Sequence, residues 1–338
     1  MVLIGMLHYK KRPDDVKIAY ACAAVAKMEG FHFFYFSYQC VQFDSQKING
    51  WIYEKGNWIQ KEMDFPNVII NNSSPKSIKQ KEIYSRLKKM IPFTSHTVGN
   101  KMKVYKKILR DGEFADYLIP TFPLESTEKT IELLEKAKTI VIKPYSGNHG
   151  KKVIFIQGDA LKGFTIINGD HKDLLDSKSF DLLIEELKHE QKYLTQPFIE
   201  CKTKTGLTYD FRLHVQKNGS GNWDINLIYP RISGSAKLIS NISSGGYRGD
   251  LDRFLKDEFG NEYFNKQRLL EKFAIAFASH FESLYNHSFD ELGIDVGMDE
   301  NGKIWIFEVN WRPGSKHREF DVAKRIVHYA HYMAKDKG

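Results

Sequence analysis

The stretch "GIDVGMDENGKIWIFEVNWRPG", residues 293 to 314, constrains this chain more than any other. Its centre, Asp299-Glu300-Asn301-Gly302, is turn chemistry, and Asn-Gly between alternating apolar residues is the strongest local signal for a β-hairpin. With Asn301 and Gly302 as the two loop residues, Asp295 faces Glu308 and Gly293 faces Asn310. Period-two alternation then places Ile294, Val296, Met298, Trp305, Phe307 and Val309 on one apolar side, and Asp295, Glu308 and Asn310 on the other. Opposed like charges destabilise a strand pair, so this register asks for something positive between the acids. A divalent cation such as Mg²⁺, which takes carboxylate and amide oxygens together with substrate phosphates, would supply it. An exposed hairpin with solvated acids is the alternative, and a second motif must decide.

That motif is "TIVIKPYSGNHGKKVIFI", in which Lys143 ends an apolar strand and a glycine-containing loop, Ser146 to Lys151, leads to another strand. Strand-loop-strand order excludes a P-loop, which opens a helix. The loop can still serve phosphates, because glycines let backbone N–H groups approach oxygens closely and a strand-end lysine supplies a point charge. Taken alone, it is more often a plain hairpin with polar turn residues.

At 338 residues and 42% hydrophobic content the chain can bury two or three cores. Cys22, Cys40 and Cys201 are far apart and lack metal-site spacing, which fits a reducing cytoplasm. The first residues do not read as a signal peptide, and no apolar run approaches the roughly 20 residues of a membrane span. A net charge of +8 favours anionic partners. "SIKQKEIYSRLKKM" and "NKMKVYKKILR" have helical spacing, and no nucleic-acid-binding module accompanies their lysines, so nucleic acid is not the expected partner.

Along the chain, "VLIGML", a helix from Val16 to Glu29 and "FHFFYFSY" make a β-α-β start. A hairpin ("NGWIYEKGNWIQ") and the strand "FPNVIINNS" follow, so residues 1–95 predict a small α/β domain with a parallel sheet. A helix from Lys101, the Lys143 strand pair and a helix near 179 to 190 come next. "LTYDFRLHVQK" and "WDINLIYPRI" read as long strands, and a helix from about 264 to 286 precedes the hairpin.

In that order, the α/β start, "IVIKP" with its glycine loop, "YLTQPFI", "YDFRLHV" and "GID…FEVN" resemble the ATP-grasp superfamily, and within it the YheC/YheD-type endospore coat-associated proteins. "SNISSGG" and "EVNWRPG" add to the likeness, which spans residues 96 to 325 and reaches the N-terminal domain in outline only. The resemblance implies a mixed α/β and α+β ATP-grasp fold: a pre-ATP-grasp domain (1–95), a central lobe with the glycine-rich loop (96–195) and a C-terminal lobe with the metal site (196–338).

The same resemblance implies ATP and Mg²⁺ as cofactors. Lys101 and Lys143 would contact the phosphates, under a loop of Gly147, Asn148, His149 and Gly150. Gln196, Phe198 and Ile199 would form the adenine hinge, with Lys202 near the ribose, and Asp295, Glu308 and Asn310 would hold the metal. Arg212, on one strand face with Asp210 and His214, suits a carboxylate or a developing oxyanion, its alternative being a cross-strand ion pair. Asn241, Gly245 and Gly246 are candidates for phosphate or substrate contact. Arg312 either completes the site or makes a salt bridge. Trp311 stands where many ATP-grasp ligases have a small residue, narrowing the acceptor pocket or packing on the lobe.

The expected reaction is ATP-dependent ligation of a small-molecule or peptide carboxylate to an amine through an acyl phosphate. A phosphotransferase and a non-catalytic coat-associated protein on the same fold are the alternatives, and spore association is implied by the likeness alone.

Overall fold

The computed structural model describes residues 2–147, 152–169, 171–234 and 246–336, arranged around three sheets. In the first, Leu3–His8 lies between His32–Ser37 and Val68–Asn71, all parallel, and the hairpin of Lys47–Glu54 and Asn57–Asp64 extends the His32–Ser37 side. Helix Lys17–Met28 buries Ile18, Ala19, Cys22, Ala23, Val25 and Ala26 against this sheet, the three-and-four spacing of one helix face. The final helix, Glu319–Asp336, has no counterpart among the sequence expectations. Its Val322, Ala323, Ile326, Val327 and Ala330 enter the same core, so the two ends of the described chain share one apolar centre.

The second sheet centres on Thr139–Pro144, with Ile154–Asp159 and Tyr193–Pro197 antiparallel on either side. Helices Thr127–Ala137 and Ser177–Glu190 cover it, with Leu134, Phe180, Ile184 and Leu187 packing on Ile140, Ile142, Ile156 and Phe164. Both helices start where a side chain accepts an orphan amide: Ser126 from Lys129 at 3.4 Å and Asp176 from Ser179 at 2.8 Å.

The third sheet is antiparallel, in the order Tyr247–Arg248, Trp223–Ile232, Tyr209–Lys217, Glu291–Met298, Ile304–Asn310. Helix Tyr263–Ser283 lays Phe273, Phe277 and Phe281, four residues apart, into a core with Phe211, Leu213, Val215, Ile294 and Val296. Burying each such ring contributes roughly 1.5–3 kcal/mol. The alternate residues Asp210, Arg212, His214 and Gln216 are also buried, so both sides of this strand are enclosed.

The hairpin keeps the expected pairs, Asp295 with Glu308 and Gly293 with Asn310, but arrives at them differently. The loop has three residues, not two: Asp299 and Lys303 still bond at 3.1 Å, and Gly302 takes φ +77°. A compensating irregularity follows, in which Val296 pairs with Ile306 and Phe307 is the extra residue. The two one-residue shifts cancel at the acids but not before them. Ile304 and Ile306, rather than Trp305 and Phe307, therefore join Val309 in the core, while Trp305 and Phe307 are half-buried.

Candidate active site

A cavity of about 480 Å³ is lined by residues from several of these elements. Of the residues singled out from sequence, Lys101, Lys143, Gly147, Gln196, Glu308, Asn310 and Arg312 line it. The volume lies within the roughly 300–1,000 Å³ range of small-molecule sites. Thr97, Gly99, Tyr105, Leu118, Thr121, Ile306, Phe307 and Trp311 complete much of the wall. Trp311 thus faces the cavity and also packs on the third-sheet core, with the Arg312 guanidinium 4.8 Å from its ring centre.

Lys101 opens helix Lys101–Asp111, whose start is fixed by the Asn100 side chain accepting from Lys103 N–H at 2.9 Å. Lys101 Nζ lies 2.9 Å from Glu308 Oε1 and donates to Gly147 O at 2.9 Å. Lys143 sits beside Pro144 at the strand end. Burial pushes it down to about 8, against the pull of Glu308, while Lys101 adds to the lowering. Two cations from different segments and one carboxylate therefore converge on a single space.

Asp295 is placed otherwise than its expected role requires. It is 5% exposed and absent from the cavity wall. Arg212 donates to both its oxygens, through Nε to Oδ1 and through Nη2 to Oδ2 at 3.0 Å, and Arg231 Nη2 lies 3.1 Å from Oδ2. Arg231 also takes both oxygens of Asp210, at 2.6 and 2.5 Å. The positive charge that the opposed acids require is thus present without a metal: Arg212 and Arg231 serve Asp295, and Lys101 serves Glu308. Three donors occupy three of the roughly four lone-pair sites of a carboxylate, leaving Asp295 one for a cation.

Arg212, expected on substrate, is also committed, since its third donor, Nη1, reaches Pro313 O at 3.0 Å. Arg312 lines the cavity but spends its donors on Asn71 O (Nε, 2.8 Å), Asp290 (2.5 and 3.1 Å) and Glu291 (3.0 Å). It is an ion-paired strut between the first and third sheets. Phe198, Ile199 and Lys202 lie off the cavity wall. Phe198 N–H bonds Thr139 O at 2.9 Å, Ile199 packs on the third-sheet core, and Lys202 pairs with Glu200. Gln196 is on the wall, its amide donating to Thr121 Oγ1 at 2.5 Å. Gly246 is described but is not on this cavity's wall, whereas Asn148, His149, Gly150, Asn241 and Gly245 lie outside the described residues.

Sequence reasoning missed Arg231, Asp290 and Glu291. Arg231 follows Pro230 at the end of an apolar run, and Asp290 precedes and Glu291 opens the hairpin strand, so charged residues at the edges of apolar runs were the available signal. The glycines flanking Asp295 were also missed. A Cβ on Gly293 would meet Pro313 Cβ at 2.3 Å, and one on Gly297 would meet Phe307 Cζ at 2.2 Å and Cys201 Sγ at 2.6 Å. Among the described residues, one group of three metal-capable side chains stands close together, Asp111, Glu113 and His280, away from this cavity. Its imidazole nitrogens already face the two carboxylates, at 2.6 and 2.8 Å.

The family model for YheC/D-like ATP-grasp proteins matches residues 90–333. The endospore coat-associated protein YheD of Bacillus subtilis (strain 168) is 26% identical over 333 residues, covering 90% of this chain and 71% of its own length. YheC of the same organism is 24% identical over 334 residues, covering 94% and 90%. Among solved structures, the ADP complex of PurK, an N5-carboxyaminoimidazole ribonucleotide synthetase, aligns with a TM-score of 0.54 at 11% identity, covering 93% and 71%. D-cycloserine synthetase DcsG aligns with a TM-score of 0.54 at 11% identity, covering 99% and 100%. These two likenesses establish the fold. The three sheets, the lysines above Glu308 and the match over 90–333 have one reading: this chain belongs to the YheC/D-like ATP-grasp family.

Proposed function

We propose that the protein is an ATP- and Mg²⁺-dependent carboxylate-amine ligase. The observation that carries this reading is the convergence of Lys101, Lys143 and Glu308 on one cavity. A carboxylate oxygen attacks the γ-phosphorus of ATP and ADP leaves. The amine then attacks the acyl carbon, phosphate departs, and the amine proton passes to solvent. Catalysis of this kind is positioning plus neutralisation of phosphate charge, for which Lys101 and Lys143 are the available cations. Glu308 and Asn310 offer oxygen donors on the cavity wall, a set suited to a hard cation completed by phosphate oxygens. Bound there, Mg²⁺ would screen the phosphates and withdraw charge from the γ-phosphorus. Thr121 and Gln196 supply polar groups, and Leu118, Ile306 and Phe307 an apolar surface, for the base. The fold of PurK and DcsG, both named as synthetases, supports the reaction class.

A non-catalytic, coat-associated role is the second reading. It is favoured by the compensation of Asp295 and Glu308 without a metal, and the names of YheD and YheC point the same way. Titration calorimetry with a non-hydrolysable ATP analogue, with and without Mg²⁺, separates the two. The ligase requires Mg²⁺-dependent binding that weakens in Lys143→Ala and Glu308→Ala, and ADP release that needs a carboxylate and an amine together. ADP release without an amine, with a stable phosphorylated product, would mark a phosphotransferase. No binding by the folded wild type leaves the non-catalytic role.

A further inference from the structure

The charge of this chain is not spread evenly. Residues 76–110 hold nine lysines, two arginines and one acid, Glu82, a net of +10 against +8 for the whole chain, so the remainder carries −2. This segment forms helix Ile78–Met90 and all of helix Lys101–Asp111 but its last residue, Asp111, an acid that faces His280. Lys81, Lys88, Lys103, Lys106 and Arg110 are exposed, and among the described residues the segment makes one ion pair, Lys101 with Glu308 in the cavity. Both helices present cations to one neighbour: Lys107 Nζ lies 4.5 Å from the Tyr285 ring centre, and Lys88 and Lys107 both act on nearby His287, which burial foremost pushes down to about 4. Lys103 runs against Gly99, where a Cβ would meet its Cβ at 3.5 Å, and Gly99 lines the cavity. A strip of uncompensated positive charge therefore leads to the cavity mouth.

Folded proteins intersperse the two signs unless a field has a use, and a single-sign strip steers anionic ligands. Binding of single-stranded nucleic acid also needs exposed aromatic faces. The segment's aromatics are Phe93, which is buried, and Tyr84 and Tyr105, both partly buried. Charge without stacking platforms fits a chain of carboxylates better than a chain of bases.

We propose that these two helices form a docking surface for an acidic peptide, one carboxylate of which enters the cavity past Lys103 and Gly99. The fate of that carboxylate rests on the ligase reading; the docking does not. The test is fluorescence anisotropy of a labelled short poly-glutamate peptide with the full chain at increasing salt. Lys88→Glu/Lys103→Glu/Lys106→Glu is compared with Lys162→Glu/Lys172→Glu/Lys178→Glu, three exposed positions of the central lobe. The corresponding glutamine triples guard against misfolding. Wild type should bind, losing affinity as salt rises, and the helix triple should bind on the order of tenfold or more weakly while the central-lobe triple is unchanged. Absence of wild-type binding, an equal loss in both triples, or displacement of the peptide by a tighter-binding single-stranded RNA overturns the proposal. Titrating the ATP analogue into the same proteins keeps the two readings apart. Nucleotide binding without peptide binding removes the docking surface alone; peptide binding without nucleotide binding removes the ligase.

Discussion

Arg212 and Asp295 are direct partners across neighbouring strands of the third sheet, and the guanidinium takes both carboxylate oxygens. Burial pushes Asp295 up, but Arg212 and Arg231 overcome it and hold the group below the usual aspartate range. This carboxylate therefore contributes stability above its unfolded value near ~3.9, and that contribution is lost as pH falls through the lower folded value.

Asp295→Asn should accordingly cost about 3–5 kcal/mol, because it leaves the buried Arg212 guanidinium without its counter-charge and Arg231 with Asp210 alone. Glu308→Gln should change stability by about 0.5 kcal/mol or less, since its partner Lys101 keeps access to water. Urea denaturation of both variants checks this. Equal losses would mean that Glu308, too, is a structural carboxylate, and would count against a metal there.

On the ligase reading, Lys143 should make nucleotide binding depend on pH. At a value of about 8 in the free protein, it is largely charged at pH 7 and largely neutral at pH 9. Phosphates favour the charged form, so binding above pH 8 should take up a proton and affinity should fall as pH rises. Calorimetry in buffers of different ionisation enthalpy should show this uptake at pH 9 and little at pH 7. Lys143→Arg, which stays protonated, should abolish the uptake; its persistence would assign the proton elsewhere.

Gly297→Ala tests the close packing behind the cavity. The new Cβ must displace both Phe307, which lines the cavity, and Cys201, which is buried. Overpacking of this kind costs about 1–3 kcal/mol. Phe307→Leu in the same chain should recover part of that loss in thermal unfolding. No recovery would mean that Cys201, not the ring, sets the limit.

The pairing of Asp295 with Glu308 was legible in the sequence because period-two alternation and an Asn-Gly turn fix register locally. The face occupied by Phe307 was not, because a bulge has no pattern of its own. Lys101 and Lys143 could be found from motif order, each lying at the end of a regular element. Arg231 reaches Asp295, Glu291 reaches His214 and Asp290 reaches Thr94 only once segments distant in the chain have met, although their other partners, Asp210 and Arg312, lie about 21 residues away across consecutive strands. The same non-locality hid helix Glu319–Asp336, whose apolar face is explained by a helix some 300 residues earlier in the chain.

Arg312 binds the first sheet to the third. It donates to Asn71 O, at the end of a first-sheet strand, and to Asp290 and Glu291, and Thr94 also donates to Asp290 at 2.5 Å. Arg312→Met should cost about 3–5 kcal/mol, because it leaves buried acids uncompensated. Adding Asp290→Asn removes one of those stranded charges, so the double variant should be more stable than Arg312→Met alone. A double-mutant cycle by chemical denaturation should give a coupling of about 1–3 kcal/mol. Hydrogen exchange at Asn71 and Thr94 should rise in Arg312→Met while that of the second sheet stays unchanged. Simple additivity, with uniform exchange, would show that the acids are solvated once the arginine is gone and that the two sheets are held together by packing instead.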